Sequence, residues 1–289
     1  METIKVEMKP EMLDGFERYL YERENASATI RKYITDIRTF FSFLNDDLTV
    51  DKQRILEYKE WLVKHYAVNS INSMLAALNQ YLEFLELDAL KVKRIKMQKD
   101  LFLREEKELT QKEYQKLLET AVSEGKYQLA LCMETIASTG IRISELEFFT
   151  VEALKQKCIV FVNKGKYRRI FLPRKLRMKL LRYAGRQKIK RGPIFVTRNG
   201  KPKSRSNIWR EMKALKNQAG IDGDKIFPHN LRHLFARIYY KMTQDLAGLG
   251  DLLGHSSLNV TRIYTSNTGK IYQEQLDAID GLRMQINTT

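Results

Sequence analysis

Apolar side chains recur at three- and four-residue intervals through the first hundred residues, and that period admits little besides helix. Ile30, Tyr33, Ile34, Ile37, Phe40, Phe41 and Leu44 form one such series. Ile71, Met74, Leu75, Leu78, Tyr81, Leu82 and Leu85 form a second. Shorter series lie near Met12–Leu20 and Ile55–Leu62, and polar breaks at 24–27, 45–47 and 67–70 separate the four. Four helices with short connections predict a small bundle. The basic stretch 91–100 reads as the start of an interdomain linker whose charge suits a phosphate backbone.

A second pattern begins at Thr110-Gln111-Lys112-Glu113, a capping box at a helix start. Helices are predicted over 111–124, 127–138, 143–149, 174–189 and 205–219. Cys158–Val162 and Arg168–Leu172 flank a turn-rich segment and predict a β-hairpin, with Ile194-Phe195-Val196 as a possible third strand. The expected fold is therefore mainly α: a four-helix N-terminal domain over 1–98, a linker over 99–109, and a mostly helical domain over 110–289 with one small antiparallel sheet.

Charge separates the two parts. Residues 1–100 carry 16 basic and 17 acidic side chains, whereas 155–216 carry 22 basic residues against the single acid Glu211. Apolar residues such as Ile159, Phe161, Ile170 and Phe195 interleave that basic block, so it should fold. A folded, strongly basic surface points to nucleic acid, with anionic membrane as the weaker partner. No apolar run approaches the ~20 residues of a membrane span, and Met1–Lys5 lacks signal-peptide character. The two cysteines, Cys132 and Cys158, share no metal or redox spacing, which favours a reduced, cytoplasmic protein.

Four segments of the basic half combine into a constellation. Thr139-Gly140-Ile141-Arg142-Ile143-Ser144-Glu145 sets an arginine at a helix start with an acid three residues on. Lys164 lies in the hairpin turn, with Lys166 two residues away. Pro228-His229-Asn230-Leu231-Arg232-His233 puts His229 and Arg232 on one helical face; the glutamate of the zinc-protease motif is missing, so a metal pair of His229 and His233 is disfavoured. Leu253-Gly254-His255 follows, and Tyr264 comes nine residues after His255. In this order and spacing the segments resemble the tyrosine recombinase family, with a layout similar to Xer-type recombinases and small integrases of mobile elements. The resemblance runs nearly the length of the chain and includes the helical N-terminal part, similar to the family's core-binding domain.

The resemblance implies six catalytic residues: Arg142, Lys164, His229, Arg232, His255 and Tyr264, with Lys166 the alternative to Lys164 as leaving-group acid. Asn230 departs from the acidic residue common at its position, which is not catalytic. The chemistry fits independently. Forked guanidiniums match the non-bridging oxygens of a phosphodiester. Tyr264 needs a proton acceptor, a role open to His229, and nearby cations favour its phenolate. No acidic cluster for metal is visible, so cleavage without metal, ATP or other cofactor is expected.

The implied cycle is a 3′-phosphotyrosyl link reversed by a partner strand's 5′-hydroxyl, run by a homo-tetramer on double-stranded DNA and with no role for a membrane. A monomer is expected free in solution. An apolar stripe over Ile271–Ile286 predicts a C-terminal helix, packed on its own domain or on a neighbour. Two rival readings share these features: a DNA-relaxing type IB topoisomerase, and a non-enzymatic DNA-binding regulator. Completeness of the six positions argues against the second. The helical pattern begins within about ten residues of Met1, so no additional arm-binding domain is expected ahead of it. Integration or excision of a mobile element, Xer-type resolution and inversion all remain open.

Overall fold

The computed structural model describes residues 5–96, 107–156, 158–163, 166–254 and 261. The chain divides into two compact units, Met1–Lys99 and Asp100–Thr289. The first contains α1 (Met12–Glu22), α2 (Ser27–Leu44), α3 (Lys52–His65) and α4 (Val68–Phe84). Ile30, Ile34, Ile37, Phe40 and Leu44 of α2 are buried against Ile71, Leu75, Leu78 and Leu82 of α4 in one core. Fully burying each such side chain is worth about 1.5–3 kcal/mol. Asp51 caps α3 by accepting from the Arg54 backbone N–H at 2.8 Å.

Two features of this unit depart from expectation. A two-residue antiparallel ribbon, β1 (Val6–Glu7) with β2 (Thr49–Val50), ties the segment ahead of α1 to the connection before α3. Residues 91–96 are no free linker. The Asn79 amide exchanges two hydrogen bonds with the Val92 backbone, at 2.8 and 2.9 Å, and the Asn72 amide does the same with Ile95, at 3.0 and 2.8 Å. Side-chain amides carry a donor and an acceptor and so can replace a neighbouring strand.

The second unit is built around α6 (Tyr127–Thr139), whose Leu129, Leu131, Cys132, Met133 and Ile136 are all buried. A helix apolar on nearly every face belongs inside. Ahead of it, α5 (Gln111–Ser123) starts at the expected capping box, with Glu113 N–H donating to Thr110 Oγ1 and Thr110 N–H donating to Glu113 Oε2. A 3-10 helix, Ile143–Phe148, and α7 (Val151–Lys155) follow α6. The hairpin β3 (Cys158–Asn163) and β4 (Lys166–Phe171) comes next, in the register Ile159↔Ile170 and Phe161↔Arg168. Phe148 stacks on Phe161 with ring centres 3.9 Å apart, seating the hairpin. The unit continues with α8 (Arg174–Arg186), α9 (Arg205–Lys213), α10 (Lys216–Ala219), α11 (Pro228–Thr243) and α12 (Leu246–Leu253).

Three expectations change here. Ile194–Val196 forms no third strand: Val196 makes an isolated bridge to Pro202 and Pro193 one to Thr150. Proline has no N–H to extend a ladder, while Ile194 and Phe195 are buried in the core. The segment 205–219 divides into α9 and α10 around Ala214–Leu215, and the helix expected over 143–149 is the 3-10 helix Ile143–Phe148. The tail helix expected over 271–286 lies outside the described residues. Among those described, no helix is long and apolar enough to cross a membrane.

Candidate active site

Three elements of the second unit place their ends together. The first is the exit of α6, where Gly140 adopts a left-handed conformation, φ 66°. A Cβ there would also collide with the Phe235 ring of α11. Gly140→Ala should therefore lower stability by about 2–5 kcal/mol, combining ~1–2 for the left-handed backbone with ~1–3 for overpacking. Chemical denaturation checks this, and an unchanged midpoint would refute it.

This turn delivers Arg142. Glu145, 1% exposed, accepts from the Arg142 backbone N–H at 2.9 Å and from its Nη1 at 3.2 Å. The Arg142 side chain remains 43% exposed. A carboxylate behind a guanidinium fixes its direction, and the N–H groups it does not use stay available to an anion.

The second element is α11. Pro228 stands at its first turn, where a missing N–H costs nothing. One turn on, Arg232 is 1% exposed. Its Nη1 donates to the Gly140 carbonyl at 2.6 Å and its Nη2 to the Leu253 carbonyl at 2.9 Å. His229 has an exposed edge and sits in edge contact with His233, ring centres 4.5 Å apart. Partial withdrawal from water, then the positive Arg232 and Arg142, hold the His229 imidazole below its ordinary pKa. A neutral ring at neutral pH can accept a proton. A cavity of about 460 Å³ opens beside it, lined by Ile143, Arg205, Trp209, Phe227 and Pro228 among others.

The sign of the pH effect follows. The folded state favours neutral His229, so its contribution to stability is complete above the unfolded value of about 6.5. It is lost as pH falls through the lower folded value. His229→Gln should flatten that acid limb in melting temperature against pH; an unaltered limb would show that other groups produce it.

The third element is α12, whose last carbonyls lie beyond the reach of its own N–H groups. Arg168 of β4 donates to Asp251 and Leu252 at 3.2 and 2.7 Å, Arg232 to Leu253, and Arg142 to Gly254 at 3.4 Å. Cations at a helix C-terminus also meet its negative dipole end. Three guanidiniums thus gather on the turn that leads into His255.

Lys164, His255 and Tyr264 lie outside the described residues. Among those described, no group of three His, Cys, Asp or Glu side chains is placed to hold a metal.

The phage integrase family model matches residues 107–270, and the model of the phage integrase N-terminal SAM-like domain matches residues 13–88. The chain belongs to the phage integrase family of tyrosine recombinases. Tyrosine recombinase XerA of Pyrococcus furiosus is 31% identical over 282 residues, spanning 93% of this chain and 94% of that protein. The fold is also that of solved integrase-family structures. XerH bound to its difH substrate superposes with TM-score 0.66 at 20% identity, over 94% of this chain and 84% of that one. A lambda integrase tetramer bound to a Holliday junction gives TM-score 0.71 at 19% identity, over 91% and 78%.

In this tyrosine recombinase the structure brings Arg142, His229 and Arg232 to one place, as the sequence motifs imply. Sequence reasoning passes over Arg168. It is one of many cations in the basic block, and its only local signal is alternation: Arg168 pairs with Phe161 on the inward face of the hairpin, opposite a buried aromatic.

Proposed function

We propose that this recombinase acts on specific sites in double-stranded DNA, cutting and rejoining strands through a 3′-phosphotyrosyl intermediate. The observation that carries the reading is the gathering of Arg142, Arg168 and Arg232 on the end of α12, immediately before His255. Arg142 presents the exposed guanidinium. Arg232, held between two carbonyls, fixes the turns that bear Arg142 and His255.

In the proposed step, the Tyr264 hydroxyl passes its proton to His229 and its oxygen attacks phosphorus in line. The bond from phosphorus to the 5′-oxygen breaks, and that oxygen takes a proton from Lys164. Arg142 and His255 stabilise charge on the non-bridging oxygens, with the buried positive charge of Arg232 behind them; such preorganised groups are commonly the largest catalytic contribution. A 5′-hydroxyl of a second strand reverses the step. The phosphotyrosyl bond conserves the energy, so no nucleotide cofactor is needed. The enzyme is proposed to be a cytoplasmic monomer when free and a homo-tetramer on two duplexes. Residues 1–98 would serve as the core-binding domain, 99–109 as linker and 110–289 as catalytic domain.

Cleavage of a nicked duplex bearing the site should proceed in EDTA, since the guanidiniums supply the charge stabilisation. Binding should weaken steeply with salt, by a log–log slope of roughly −0.9 for each phosphate neutralised. A strict requirement for divalent metal, or binding indifferent to salt, would overturn the reading.

A further inference from the structure

Arg168 joins parts of the site that nothing in the local sequence connects. Its side chain is 8% exposed, and its two terminal nitrogens are spent on the Asp251 and Leu252 carbonyls. Its Nε stands 3.6 Å from Glu145 Oε1, the same oxygen that lies 3.2 Å from Arg142 Nη1. Gly254, at φ 63°, closes against this side chain: a Cβ there would run into the Arg168 guanidinium. The glycine of the Leu-Gly-His motif is thus explained by a neighbour from the hairpin as well as by its own backbone.

Glu145 is buried, so water screens it little, and its charge must be matched locally. Shared between two guanidiniums, it leaves the trio with a net positive charge. Paired with Arg142 alone it would cancel that residue and compete with any phosphate for its fork. Arg142 is held on its other side by the Gly254 carbonyl, one residue past the turn that Arg168 fastens.

We infer that Arg168 is a positioning residue for strand cleavage: by sharing Glu145 and securing the end of α12, it leaves the Arg142 guanidinium only partly neutralised and aimed at the substrate phosphate. The inference rests on the reading that Arg142 grips that phosphate.

The test is a double-mutant cycle on single-turnover cleavage. It uses the full chain and a nicked duplex recovered from a random-sequence pool by binding to it. Arg168→Gln should slow adduct formation about tenfold, the scale of one weakened donor to the transition state. In an Arg142→Ala background the same change should cost less than about twofold, because the residue it acts through is gone. Arg168→Lys, which keeps the charge beside Glu145, should recover part of the rate. Equal losses in both backgrounds, or a lysine no better than glutamine, would overturn the inference in favour of a purely structural role. Melting temperature and duplex binding show whether Arg168→Gln is folded; if it is not, the cycle is run with Arg168→Lys, whose smaller loss should likewise vanish in the Arg142→Ala background, and an equal loss in both backgrounds overturns the inference. A wild-type protein that forms no adduct on the selected duplex would instead remove the recombinase reading itself, and this inference with it.

Discussion

Tyr264→Phe should leave duplex binding within about twofold of wild type and reduce the denaturation-resistant protein–DNA adduct to background, since the change removes one oxygen and the nucleophile with it. The assignment separates Tyr264 from its neighbours on physical grounds. Tyr239 and Tyr240 belong to α11 and pack on the cluster of Ala236, Leu249 and Leu253, with Tyr239 stacked on Phe235 at 5.9 Å. They serve as the wall between α11 and α12. Denaturing gel analysis on a nicked duplex makes the measurement. An adduct persisting in the Tyr264→Phe protein would shift the nucleophile to another tyrosine, and Tyr272 would be examined next.

Arg232→Ala should be nearly as damaging, and in two separable ways. The side chain is 1% exposed and satisfies the Gly140 and Leu253 carbonyls at once. Its removal strands two buried acceptors, at about 1–3 kcal/mol each. Stability should therefore fall by roughly 2–6 kcal/mol on the same reckoning. Cleavage by the fraction still folded should fall by at least the ~10²–10³ typical of one lost transition-state donor. Arg232→Lys should recover charge but only one of the two hydrogen bonds, so it should regain stability in part and cleavage little. Denaturant midpoints alongside single-turnover rates, taken below the melting temperature, separate the two losses. A fully stable Arg232→Ala protein would mean that the carbonyls find other donors and that Arg232 does not organise the turn.

Much of the fold is legible in the sequence because its signals are local. The α2 and α4 stripes follow from helical period alone, and the capping box at Thr110 declares itself within four residues. The hairpin follows from two β-rich runs with a glycine between them. The misses share a cause: the deciding partner is remote in sequence. Ile194–Val196 has strand-forming residues, but Pro193 and Pro202 deny it a ladder. Residues 91–96 read as a solvated linker because nothing nearby shows that Asn72 and Asn79, on a preceding helix, will supply the missing hydrogen bonds.

The candidate site divides the same way. Arg142, His229 and Arg232 stand in motifs whose residue types fit phosphate chemistry, so residue type and spacing are enough to single them out. Their geometry is not written there. The sequence presents Arg142 and Arg232 as equivalent phosphate donors, yet the first is 43% exposed and the second is buried between backbone carbonyls. Arg168 is chemically indistinguishable from the other cations of its block until folding buries it opposite Phe161 and beside Glu145.

The paired amide bonds that hold Val92 and Ile95 also fix how much of the chain after α4 is committed to the first unit. Extended and free, residues 91–96 would add about 20 Å of reach, at ~3.3–3.6 Å per residue. Fastened to α4, they add none. Asn72 and Asn79 thus act as a shortening knot. Replacing either amide by an apolar side chain would return that length of chain to solvent.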